Sequence, residues 1–146
     1  MKQFTLLLAL LTMFSWQSYS QTTPSTCDYT FDMTDSYGDG WNGATVDFVQ
    51  NGTIVAQQTL AAGSAGSATV TLEDGAVTYV IGSVSGLYSD EAGFVFNDPT
   101  GVSVASLASG VGYTSGDTLA TFTAVCPAPP ACADPTALTA SNITDV

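Results

Sequence analysis

The densest chemistry in the sequence lies in the run Asp35-Ser36-Tyr37-Gly38-Asp39-Gly40-Trp41-Asn42-Gly43. Asp35, Asp39 and Asn42 supply hard oxygen donors of the kind Ca²⁺ prefers, and the glycines let the backbone fold tightly around them. Acid at the first and fifth positions, with glycine at the sixth, matches the opening of an EF-hand loop. Tyr37 replaces the third-position acid, however, and Val46 replaces the bidentate Glu at the twelfth, so the run is no EF-hand. A carboxylate from elsewhere has to complete the shell. Glu91 is the candidate, because it precedes a strand-like segment at Phe94, whereas Glu73 sits beside a turn and reads as solvated surface. The competing reading is an Asx-turn loop whose carboxylates cap backbone N–H groups without metal. The calcium reading takes Asp35, Asp39, Asn42 and Glu91 as ligands. Trp41 either plugs the core beneath the loop or stacks on a sugar together with Tyr37 or Tyr88. A small domain needs its few large side chains inside, which favours the plug.

Missing residue types narrow the chemistry. The sequence has no His, and Lys2 is its only Lys or Arg against 13 acidic residues. A Ser or Cys nucleophile therefore lacks its usual base, and phosphoryl transfer lacks its cationic clamp. Three cysteines without His cannot build an ordinary zinc site. Only a glycosidase-type carboxylate pair remains open, and no cleft is announced for one. The chain reads as a binder rather than an enzyme. Its acidic surface repels nucleic acid and anionic lipid and attracts divalent cations.

The start of the chain points to export. Lys2 is followed by a nearly unbroken apolar run from Phe4 to Phe14, and Ser18-Tyr19-Ser20 offers small residues for cleavage before Gln21. That run is too short to cross a bilayer, so residues 1–20 read as a signal peptide and no membrane span is expected. Losing Lys2 takes the side-chain charge from -12 to -13. In an exported chain, cysteines read as disulfides. Cys27 opens the first strand-like segment and Cys126 closes the last, so the two are expected to pair. Cys132 is left over.

Beyond a polar lead at 21–26, residues 27–126 show period-two alternation in short runs separated by Gly, Asn, Asp and Ser, without a convincing helix. Cys27, Tyr29, Phe31 and Met33 alternate with polar residues. Val46 and Phe48 share a face, and Asn51-Gly52 turns that run into Thr53 to Leu60. Asn51-Gly52-Thr53 also matches a glycosylation acceptor, but the hairpin explains it better. After small residues from Ala61 to Ser67 come Ala68, Val70 and Leu72. Asp74-Gly75 turns that strand, and Val77, Tyr79 and Ile81 return it. Phe94 and Phe96 mark a strand ended by Asp98-Pro99-Thr100-Gly101. Val102 to Leu107 and Thr118 to Cys126 complete the set, the last with Ala120, Phe122, Ala124 and Cys126 on one face. About eight short strands predict an all-β antiparallel β-sandwich, jelly-roll-like.

The nine-residue run, placed just after Cys27-x-Tyr29-x-Phe31, resembles a module of that signature in large secreted multidomain proteins of gliding and marine bacteria. Glu91, Phe94 to Phe96 and Asp98 to Gly101 match further features of it. The resemblance covers residues 27–126 and implies a β-sandwich accessory or adhesive module. Pro127, Pro129 and Pro130 then make 127–133 a stiff linker. Residues 134–146, with Leu138 and Ile143, resemble the opening strand of a bacterial fibronectin type III domain, whose second strand does not follow. The expectation is a secreted, calcium-stabilised module for adhesion or for carbohydrate or matrix binding, the N-terminal piece of a longer chain with downstream domains. The alternatives are an accessory domain of an extracellular peptidase or glycanase, and a structural subunit that polymerises through its sheet edges.

Overall fold

The computed structural model describes residues 23–84 and 88–128. The expected signal peptide, Cys132 and the fibronectin-like segment at 134–146 lie outside the described residues. Eight strands follow in order: β1 (Thr26–Asp35), β2 (Ala44–Gln50), β3 (Thr53–Gln58), β4 (Ala65–Glu73), β5 (Val77–Val84), β6 (Ala92–Asn97), β7 (Ser103–Leu107) and β8 (Thr118–Thr123). They form two antiparallel four-stranded sheets, ordered β4-β1-β6-β7 and β3-β2-β5-β8. The fold is thus the all-β sandwich that the alternation predicts.

Alternation on β1 is strict, with Tyr29, Phe31, Met33 and Asp35 all turned inward. Phe31 is fully buried at the centre, its ring 5.1 Å from Phe48 and 5.0 Å from Phe94, so one side chain joins the two sheets. Aromatic pairs at such distances add to area burial, and the cluster extends through Phe96 to Tyr29 and Phe122. Asn51 (φ 52°) and Gly52 (φ 75°) make the tight β2–β3 turn, a left-handed pair that Asn-Gly adopts at low cost.

Two expectations need correction. Asp74-Gly75 does not close a hairpin: β4 and β5 belong to different sheets, and the turn carries the chain across the sandwich. In consequence the buried face of β5 is Thr78, Val80 and Gly82, while Val77 and Tyr79 are exposed. Val80 lies opposite Phe48 in register, which fixes that choice. Thr78 is tolerated inside because buried Gln50 donates to its Oγ1 at 2.9 Å. Gln50 also accepts from Glu73 N–H at 2.9 Å, which satisfies polar groups that would otherwise be stranded. Gly82 leaves room for the Tyr113 ring, since a Cβ there would lie 2.3 Å from Tyr113 Cδ2.

At the opposite end from the glycine loop, Cys27 and Cys126 are disulfide-bonded with Cα atoms 5.5 Å apart, as their positions predict. Val125 N–H donates to Tyr29 Oη at 2.8 Å, and Cys126 N–H donates to Asp74 Oδ1 at 2.8 Å. The two ends of the domain are tied by backbone as well as by sulfur.

Candidate metal centre

The centre forms where β1 runs out. Asp35 is the next inward position after Met33, so period two carries a carboxylate to the rim of the core, where it is 5% exposed. Ladder pairing sets Asp35 opposite Ala92, and Ser36 N–H donates to Glu91 O at 3.0 Å. That register brings Glu91, just before β6, up to the glycine loop. Carboxylate oxygens of Asp35, Asp39 and Glu91 lie within 4.8 Å of one another, grading from buried through half-buried Glu91 to exposed Asp39.

The loop is held from inside. Asp35 Oδ2 accepts from the backbone N–H groups of Gly38, Asp39 (2.9 Å) and Gly40 (3.2 Å). Gly40 has φ 97°, and a Cβ on it would sit 2.7 Å from Leu60 O, so only glycine fits beside that strand end. Trp41 N–H donates back to the same Leu60 O at 2.8 Å. The capped turn and the carboxylate cluster therefore coexist, and the turn uses only Oδ2 of Asp35. Its other oxygen, Oδ1, is buried without a hydrogen-bond partner among the described residues. A buried carboxylate oxygen is costly to leave unpaired, and an ion is one way to pair it.

Electrostatics point the same way. Burial, together with the charges of Asp35, Asp39 and Asp90, pushes the Glu91 carboxyl above its ordinary value, and a hydrogen bond from Asn42 opposes that rise. No Lys, Arg or His follows residue 2, so no side-chain cation exists to neutralise the group. Asn42 has a contact the sequence did not show. Its Nδ2 donates to Asp39 Oδ1 at 2.9 Å, which leaves its amide oxygen as a candidate ligand. Asn42 adopts φ 50°, in the left-handed region that Asn tolerates better than most residues.

The aromatic residues separate. Trp41 is 1% exposed, meets Phe31 edge-on with centroids 6.1 Å apart, and donates its indole N–H to Thr34 O at 2.8 Å. It plugs the core, and no face of it is left for a ligand. Tyr37 (77% exposed), between Asp35 and Asp39 in the chain, and Tyr88 (52% exposed), three residues before Glu91, are both on the surface. Sequence reasoning did not find Asp90, whose charge acts on Glu91, although its place beside Glu91 was the available signal.

No protein-family model, no curated protein and no solved structure matches this chain. Among the described residues no helix is long and apolar enough to cross a membrane.

Proposed function

We propose that this chain is a secreted, calcium-stabilised β-sandwich module for adhesion, binding an extracellular glycan or matrix component as part of a larger multidomain protein. The observation that carries the reading is the buried, unpartnered Asp35 Oδ1 in a group with two further carboxylates, in a chain with no Lys, Arg or His after residue 2. Asp35, Asp39 and Glu91 would hold the ion, whose charge removes their mutual repulsion. The export signal in the sequence and the disulfide support an extracellular setting. Absence of His, Arg and any Lys beyond residue 2 supports binding rather than catalysis.

Ligand binding to the native state alone stabilises by mass action, by about 2.7 kcal/mol at ~100 times the dissociation constant. The test is a thermal melt in calcium and in excess chelator, repeated on Asp39→Ala. The unmutated protein should melt higher in calcium, and the variant should lose most of that difference. Equal melting temperatures for the unmutated protein in the two conditions would refute the metal reading.

A further inference from the structure

We infer that an ion at this centre is a bridging ion: its outward coordination positions take two adjacent hydroxyl oxygens of a neutral glycan, with Tyr37 as the stacking surface beside it. This rests on the metal reading and adds the ligand class. The first argument is coordination number. Asp35 has one oxygen committed to three N–H groups, and Asp39 has Oδ1 committed to Asn42. Each therefore has one uncommitted oxygen for an ion. With Glu91 the side chains supply about three or four of the roughly 6–8 oxygens that Ca²⁺ takes. The second argument is direction. Protein closes the Asp35 side of the cluster, whereas Asp39 is exposed, so the unfilled positions face solvent.

Charge then selects the ligand. Three carboxylates around a divalent ion leave a net negative site among described residues that include no Lys, Arg or His. An anionic sugar would be repelled there, while neutral hydroxyls replace bound water without charge cost. Tyr37 stands two residues from each aspartate and is 77% exposed, and Tyr88 is tied to the cluster through Glu91 N–H donating to Tyr88 O at 3.1 Å. Flat apolar rings beside a polar anchor suit a pyranose, whose C–H face stacks while its hydroxyls ligate.

The experiment uses Tb³⁺ in place of Ca²⁺ on the secreted chain, with decay lifetimes in H₂O and D₂O counting the waters on the ion. Neutral methyl glycosides bearing adjacent hydroxyls are then titrated in, and galacturonate is compared with them by calorimetry on the Ca²⁺ form, since trivalent Tb³⁺ would cancel the three carboxylates. Bound Tb³⁺ should keep several waters and lose about two on adding a neutral glycoside. Tyr37→Ala, an exposed site, should weaken the glycoside by about three- to tenfold and leave Tb³⁺ affinity unchanged. Absence of Tb³⁺ and Ca²⁺ binding overturns the metal reading and this inference with it. Tb³⁺ binding with few waters, or a water count that no glycoside lowers, overturns the inference alone and leaves a structural ion. Binding of galacturonate but of no neutral glycoside to the Ca²⁺ form overturns the neutral-ligand assignment.

Discussion

Substituting Asp35 separates the two roles of its carboxylate. In Asp35→Ala, three backbone N–H groups lose their acceptor. Gly40 is buried, so its orphaned N–H costs about 1–3 kcal/mol, whereas those of the exposed Gly38 and Asp39 regain water and cost about 0.5–1 kcal/mol each. Relief of charge repulsion with Glu91 and removal of the orphaned Oδ1 act in the opposite direction. The net expectation is a loss of about 2–3 kcal/mol in chelator. For a domain of this size that lowers the melting temperature by roughly 8–24 °C. Asp35→Asn can keep a carbonyl oxygen at the Oδ2 position and turn its NH₂ toward the other carboxylates, so in chelator it should stay within about 1 kcal/mol of the parent. Both variants should fail to gain stability from calcium. Melts of the three proteins, each with chelator and with calcium, decide the matter. If Asp35→Ala melts within a few degrees of the parent in chelator, the cap does not hold the loop. If Asp35→Asn still gains the full calcium increment, Asp35 is no ligand.

Four further outcomes follow from the rest of the sandwich. Hydrogen bonds from Thr100 and Val102 to Asp98, and from Thr114 to Asp117, hold both carboxyls below their ordinary value of 3.8. A depressed folded-state pKa supplies stability that is present above 3.8 and lost as pH falls through the folded value, so Asp98→Asn with Asp117→Asn should flatten the acid limb of stability measured by urea titration in chelator. Burial pushes the Tyr113 phenol from 10.0 to about 12, so stability should decline across that alkaline interval, and Tyr113→Phe should abolish the decline. Cys27→Ser with Cys126→Ser opens a constraint spanning 99 residues and should lower stability by about 4 kcal/mol, read as a shifted denaturant midpoint. Gly82→Ala drives a methyl into the Tyr113 ring and should cost about 1–3 kcal/mol or more, while an unchanged melting temperature would mean that the ring moves aside freely.

How much of this was legible in the sequence depends on whether the signal is local. Alternation over Cys27 to Met33 reports one strand with one buried face, and the same period extended by two residues already places Asp35 inward. Asn51-Gly52 carries its own turn geometry. The face of β5 was not legible, because Val77, Tyr79 and Ile81 are more apolar than Thr78, Val80 and Gly82. What buries the second set is a partner strand: Phe48 against Val80, Gln50 satisfying Thr78, and the Tyr113 ring filling the space at Gly82. Polar or absent side chains become interior only once those partners exist. Asn42 shows the same limit at the site. Its residue type fits an oxygen ligand, but that its Nδ2 also donates to Asp39 Oδ1 depends on the folded loop and could not be read from the sequence.

The coupling between the loop and the core decides what an ion can do here. Carboxylates on a flexible loop would move apart and lose their repulsion at little cost, and an ion binding them would first have to order the chain. This loop lacks that freedom. Trp41 is buried against Phe31 and bonded to Thr34 O, Gly40 is wedged beside Leu60 O, and Asp35 itself is fixed by the β1–β6 ladder. Asp35 is therefore held by packing, and its repulsion of the Glu91 carboxylate is a strain at the rim of the core. An ion meeting such a site gains the relief of that strain without the entropy of assembling it. The same rigidity reaches the exposed outer side, because the backbone of Asp39 is bonded to the carboxylate of Asp35, which the inward face of β1 holds at the rim of the core.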